Sequence, residues 1–310
     1  MTVDARVEAE ASAPRRKRPL PVALIVEARP KQWAKNVLVF AAPGAAGVLL
    51  HRHDLLHTLV AFVAFCMAAS GTYYLNDARD VEADRHHPKK QFRPIAAGEV
   101  PVNAAYVIGS VLIVASIGVA LVASWQLAVI VAMYVAETTA YTLWFKHVVM
   151  FDIVFVASGF ALRAIAGASA THVEISNWFF IVAIFGSLFM VTCKREAEVK
   201  TMGEGVGKTR AILQDYTEPY LDYIRTVTSS VVLVAYCLWA FEKAHEHPEV
   251  HVPWFQLSII PFALGILRYA LLVDQGHGGE PEEVVFGDRI LQVLGVLWAL
   301  AFVAGIYKLW

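Results

Sequence analysis

The sequence predicts an all-α polytopic membrane protein. Three observations carry that reading: 57% of the residues are hydrophobic and 17% charged, the mean hydropathy is +0.53, and basic residues crowd into alternate loops between apolar runs. A bilayer-spanning helix needs roughly 17–25 mostly apolar residues. Nine stretches are candidates: Val37–Leu50, Thr58–Leu75, Val102–Ser124, Leu127–Leu143, Asp152–Ala170, Trp178–Cys193, Thr226–Phe241, Trp254–Val273 and Ile290–Tyr307. The first is short and relies on Gly44 and Gly47 for close packing. Of the 26 Lys and Arg residues, 21 fall before the first span or in one set of alternate loops, which assigns that face and the N-terminus to the cytoplasm and the C-terminus to the outside. Residues 1–19 read as a disordered basic tail, and 20–310 as a single nine-helix transmembrane domain.

Leu20–Phe40 reads as an amphipathic surface stretch, a proline break at Pro30 and the entry to the first span. Trp33 and Lys35 are interface anchors there. Arg29, Lys31 and Lys35 also suit a purely topological role, whereas Asn36 at the mouth of a span asks for a polar partner. The outer loops hold His51, His53 and His57 beside Asp54, and His245, His247 and His251. Both groups read as solvated loop histidines. Cys66, Cys193 and Cys237 lie in or beside apolar segments with no paired spacing, so they are packing residues.

The second span ends in Asn76-Asp77-Ala78-Arg79-Asp80-Val81-Glu82-Ala83-Asp84. Separations of three and four residues place Asn76, Asp77, Asp80 and Asp84 on one helix face, at the membrane surface. Five basic residues, Lys90 and Arg93 among them, follow or interleave, and Arg93-Pro94-Ile95-Ala96-Ala97-Gly98 turns the chain into the third span. The fourth span closes in an aromatic belt with Tyr141 and Lys146. Arg163 lies inside the fifth span, where a charge is costly unless it faces a cavity or an anion. The sixth span runs into Lys194-Arg195-Glu196-Ala197-Glu198, and a long loop continues through Lys208 and Arg210. Gly203 to Thr209 lacks the glycine spacing and preceding strand of a phosphate-binding loop. The two polar loops follow the second and sixth spans, which hints at two related four-helix units plus a ninth helix.

Clustered carboxylates at a membrane mouth suit Mg²⁺, a hard cation that takes oxygen ligands and bridges substrate phosphates. Such an ion activates a diphosphate leaving group by neutralising the charge that grows on it. Lysines and arginines of both loops suit the remaining phosphate oxygens.

Asn-Asp-x-x-Asp-x-x-x-Asp after the second span, followed by Arg-Pro-x-x-x-Gly, resembles the UbiA-type intramembrane prenyltransferase superfamily, and the likeness in span count and loop placement covers nearly the whole chain. The resemblance implies a nine-helix bundle with a central cavity open to the cytoplasmic side, with Asp77, Asp80 and Asp84 as metal ligands and catalytic groups and Asn76 beside them. Typical members carry a second aspartate-rich motif after the sixth span. Here Lys194, Arg195 and Glu198 stand in that place, which points to a donor carrying a monophosphate besides its diphosphate.

Arg29-Pro30-Lys31-Gln32-Trp33-Ala34-Lys35-Asn36 and Ala157–Gly167 make the chain most similar to the superfamily's phosphoribosyl-transferring branch. That likeness implies phosphoribosyl pyrophosphate as donor, a polyprenyl phosphate such as decaprenyl phosphate as acceptor, Mg²⁺ as cofactor and a step towards cell-wall arabinan at the plasma membrane. Lys35, Asn36, Asn76, Arg93, Arg163, Lys194, Arg195, Glu198 and Arg210 become substrate-binding residues. Tyr141 and Lys146 become catalytic ones, with one residue more between them than the superfamily's Tyr-x-x-x-Lys. Homo-oligomerisation is left open. A prenyltransferase acting on an aromatic acceptor and a membrane transporter are the alternatives.

Overall fold

The computed structural model describes residues 18–87, 90–203, 215–246, 251–277 and 281–308. Among these there is no strand, and eight helices are long and apolar enough to cross a membrane. They are α3 (Arg52–Arg79), α5 (Val102–Ala123), α6 (Trp125–Leu143), α7 (Phe151–Thr171), α8 (Asn177–Gly203), α9 (Glu218–Glu246), α10 (Trp254–Asp274) and α12 (Arg289–Ile306). Shorter helices are α1 (Leu20–Glu27), α2 (Ala41–Ala45), α4 (Val81–Arg85) and α11 (Pro281–Gly287). The protein is a multi-pass membrane protein, as its composition requires.

The expected first span differs. Val37–Leu50 is not one helix: a 3₁₀ segment, Pro30–Phe40, runs into α2, and a further 3₁₀ turn covers Val48–Leu50. Pro43 removes a backbone donor inside the stretch and Gly47 takes a left-handed conformation (φ 71°), so a regular ladder cannot run through. The described residues also divide into two compact units that do not follow a four-helix repeat. One joins residues up to Ala34 with Ala69–Val114; the other joins Lys35–Ala68 with Ala115–Trp310. The predicted tail lies almost wholly outside the described residues.

In the first unit, Ala23 of α1, Tyr74 and Ala78 of α3, Val81 of α4, Ile95, Val100 and Ala105 form one buried core. Tyr74 donates to the carbonyl of Leu24 at 2.7 Å, so α1 is docked by both packing and a hydrogen bond. Gly71 and Gly109 bring α3 and α5 to backbone contact: a Cβ added at Gly71 would lie 2.8 Å from the Gly109 carbonyl oxygen. Such close approach is how helices associate where lipid supplies no hydrophobic drive.

In the second unit, α7 is buried along most of its length and packs on α6 and α8, while α8 packs on α9, and α10 on α9 and α12. An aromatic core of Tyr236, Trp239, Phe255, Phe262, Trp298 and Phe302 joins α9, α10 and α12. Arg268, a charge inside a predicted span, is matched by Asp288 at 2.7 Å; Asp288 also caps α12 by accepting from the Leu291 N–H at 2.8 Å. All three cysteines are unbridged, and Cys66 and Cys193 are buried.

Candidate active site

The aspartate motif does not lie on one uninterrupted helix. Asp77 is on the last turn of α3, the backbone breaks at Asp80, and Asp84 belongs to α4. The Asp80 and Asp84 N–H groups nevertheless donate to the Asn76 and Asp80 carbonyls, each at 2.9 Å, so the helical rise continues across the break and the motif keeps a common face. Asp77 and Asp84 are buried; Asn76 and Asp80 are half-buried.

Burying two carboxylates demands compensation. Arg93 supplies most of it: one guanidinium nitrogen donates to Asp77 at 3.0 Å and to Asp84 at 2.6 Å. Lys90 lies 3.8 Å from the other Asp84 oxygen. Arg29 donates to the second oxygen of Asp77 while its guanidinium sits over the Tyr73 ring, 4.5 Å from the centroid. Arg29 holds a left-handed backbone (φ 53°), unusual for a residue with a Cβ. The fold fixes that bend, because the Ala28 carbonyl accepts from Ser70 at 2.9 Å and Ser70 in turn accepts from the Trp33 indole at 3.1 Å. On sequence alone Arg29 suits a purely topological role as well as a functional one. Its place directly before Pro30, where α1 must turn, was the available signal.

Glu27 was missed. It ends α1, outside the membrane-spanning helices, and is 1% exposed. Neither carboxyl oxygen makes a hydrogen bond of ordinary geometry, although Asp77 and the Ile95 backbone lie close enough to act on it. Burial first, and Asp77 second, push its carboxyl up to about 8, against the opposing pull of Arg29.

Among the described residues no three His, Cys, Asp or Glu side chains are placed to hold a metal ion unaided. The donor set still suits Mg²⁺. Asp77 and Asp84 present only carboxylate oxygens, already converged on one cationic nitrogen, and Mg²⁺ typically takes one or two carboxylates and fills its other positions with water and substrate phosphate. At the outer-loop histidines, His51 and His53 lie near Asp54, and His57 meets the Ala170 carbonyl. His247 lies outside the described residues.

In the second unit, Asn36 is fully buried. Its carbonyl oxygen accepts from Arg163 at 2.7 Å, and its amide faces the Cys66 sulfur at 3.2 Å. Arg163 also donates to the Gly159 carbonyl at 2.6 Å and the Tyr134 hydroxyl at 3.0 Å, and its charge lies near the Phe65, Tyr134 and Phe160 rings. The intramembrane charge is thus dissolved in neutral acceptors and π faces. Gly167, one turn further along α7, meets the same entry segment: a Cβ there would fall 1.8 Å from the Val39 carbonyl oxygen. Lys35 is half-buried in the 3₁₀ segment.

Arg195 is buried too, not presented on a loop. It donates to Asp152 at 2.8 Å and to Glu198 at 2.6 Å. Tyr216 donates to the other Asp152 oxygen and accepts from the Met150 N–H at 2.8 Å, where Met150 has φ 68°. Burial and the Asp152 carboxylate hold the Tyr216 phenol above its usual range. Lys194 is half-buried, as are Tyr141 and Lys146; Tyr141 stacks on Phe155, and Lys146 sits in the 3₁₀ turn Phe145–His147. Arg210 lies outside the described residues.

Eight apolar helices with a buried aspartate–arginine cluster at the end of one of them make a membrane-embedded bundle with a charged site at a helix end. Solved structures share this architecture. A UbiA homolog from Archaeoglobus fulgidus, bound to GPP and Mg²⁺, matches with a TM-score of 0.66 at 14% identity, over 92% of this chain and 99% of that one. A digeranylgeranylglyceryl phosphate synthase structure matches with a TM-score of 0.65 at 15% identity, over 94% and 99%. The model of the UbiA prenyltransferase family matches residues 37–290, and the chain belongs to that family. Among its relatives are proteins named decaprenyl-phosphate phosphoribosyltransferase: from Corynebacterium glutamicum, 46% identical over 92% of this chain and 86% of that protein, and from Mycolicibacterium smegmatis, 45% identical over 92% of each. The counterpart from Mycobacterium tuberculosis is 45% identical over 89% and 92%.

Proposed function

We propose that the protein transfers 5-phosphoribose from phosphoribosyl pyrophosphate to a polyprenyl phosphate, with decaprenyl phosphate as the natural acceptor, and that it works at the cytoplasmic face of the plasma membrane for cell-wall arabinan synthesis. The observation that carries this reading is the 45–46% identity, across about nine-tenths of the chain, to three relatives named for that transfer. A basic stretch in place of a second aspartate motif supports it.

In this reading Asp77, Asp80 and Asp84 hold Mg²⁺, which when bound neutralises charge on the departing diphosphate. Arg93 and Arg29, now spent on carboxylates, keep further N–H donors for diphosphate oxygens. Lys194 and Arg210 are assigned to the donor's phosphates, and Tyr141 and Lys146 to the acceptor's phosphate. The ribose C1–O bond breaks with its electron pair leaving on diphosphate, and an acceptor phosphate oxygen forms the new C1–O bond through an oxocarbenium-like centre. That oxygen is already ionised near neutral pH, so the chain need supply no strong base. Arg163 and Asn36 act by fixing the entry segment that carries Lys35, and Arg195 by fixing Glu198 and Tyr216.

Purified protein is to be incubated with Mg²⁺, phosphoribosyl pyrophosphate and decaprenyl phosphate, and separately with a prenyl diphosphate and a phenolic acceptor. Phosphoribosylated lipid in the first mixture is the expected result. Turnover in the second alone overturns the assignment in favour of aromatic prenylation, and solute flux in proteoliposomes without diphosphate release overturns it in favour of transport.

A further inference from the structure

The carboxylates of the first unit are unevenly neutralised. Both oxygens of Asp77 are taken, one by Arg29 and one by Arg93, and Asp84 faces Arg93 and Lys90. Glu27, more deeply buried than either, makes no hydrogen bond of ordinary geometry on either oxygen, with Asp77 and the Ile95 backbone as its polar neighbours. An unsatisfied buried carboxyl is costly, and fold stability alone would favour an apolar side chain at this position. Nor is Glu27 placed by chance: it is the last residue of α1, whose docking is fixed by Ala23 in the core and by the Tyr74 hydroxyl on the Leu24 carbonyl. What these contacts deliver is a second carboxyl group beside that of Asp77.

We propose that Glu27 is a further oxygen ligand of the divalent cation, pairing with Asp77 so that the ion bridges α1 and the end of α3. This rests on the reading of Asp77 as a metal ligand. A carboxylate from α1 joining those of the aspartate motif, with diphosphate oxygens and water completing the shell, matches the preference of Mg²⁺ for oxygen ligands. The arrangement makes α1 part of the cation site.

The test is a titration of the full-length protein in detergent with Mn²⁺ in the presence of inorganic diphosphate, following free Mn²⁺ by electron paramagnetic resonance. Wild type should bind, Asp77→Asn should lose binding, and Glu27→Gln should bind at least tenfold more weakly with its thermal midpoint no lower than that of wild type. Glu27→Asp, which keeps the charge but shortens the reach, should fall between Glu27→Gln and wild type. Should Glu27→Gln fail to fold, Glu27→Asp alone decides by its affinity relative to wild type. Wild-type affinity in Glu27→Gln or Glu27→Asp, together with loss in Asp77→Asn, overturns the role of Glu27 and leaves the metal reading standing. Wild-type affinity in Asp77→Asn overturns the metal reading itself.

Discussion

At the scale of single residues, charge placement decides the outcome. Asp77→Asn and Asp80→Asn should each lower diphosphate release at least about a hundredfold, the order expected when a group that stabilises transition-state charge is removed, while elution on gel filtration stays that of wild type. Near-normal turnover in both would remove the aspartates from the mechanism. Arg93→Lys keeps the charge but gives up the remaining guanidinium N–H donors assigned to diphosphate oxygens, so the KM for the sugar donor should rise about tenfold or more. An unchanged KM would restrict Arg93 to structure. The aspartates were legible because their spacing is local and follows directly on an apolar run. Glu27 was not, since a lone acid on a surface helix reads as solvated until Asp77, fifty positions later, is folded against it.

Elements show where local patterns fall short. Arg195 sits in a run of charges after a span and so reads as an exposed phosphate ligand, yet its partner Asp152 lies 43 residues earlier on α7, and the pair is buried. Removing one partner of a buried ion pair typically costs about 3–5 kcal/mol. Asp152→Asn should therefore lower the thermal midpoint well beyond the scatter of surface variants; a midpoint within a degree of wild type would contradict a strut joining α7 to α8. The stretch Val37–Leu50 is apolar enough for a helix, but Pro43 and Gly47 break it, and Gly167 receives its backbone. Gly167→Ala places a methyl carbon on the Val39 carbonyl and should cost several kcal/mol, as overpacking against rigid backbone does, with protease nicking near residue 40 as the readout. Equal protection of variant and wild type would show that the segment can yield.

For the whole molecule, hydropathy and loop charge gave the class, eight of the nine expected spans and the place of the aspartate motif, because each depends on runs of neighbouring residues. The grouping of the chain into units was hidden, because α3 and α5 each contribute residues to both. Activity of the intact protein should vanish in EDTA and return with Mg²⁺ or Mn²⁺; turnover persisting in chelator would refute the cofactor assignment. The bend at Arg29 carries a consequence for selection. A side chain held in a left-handed backbone costs roughly 1–2 kcal/mol, and glycine would relieve it. Arg29→Gly removes that cost but also strips buried Asp77 of one of its two cations and loses the contact over Tyr73, so a screen for heat resistance should not return it: the ion pair outweighs the strained turn that carries it.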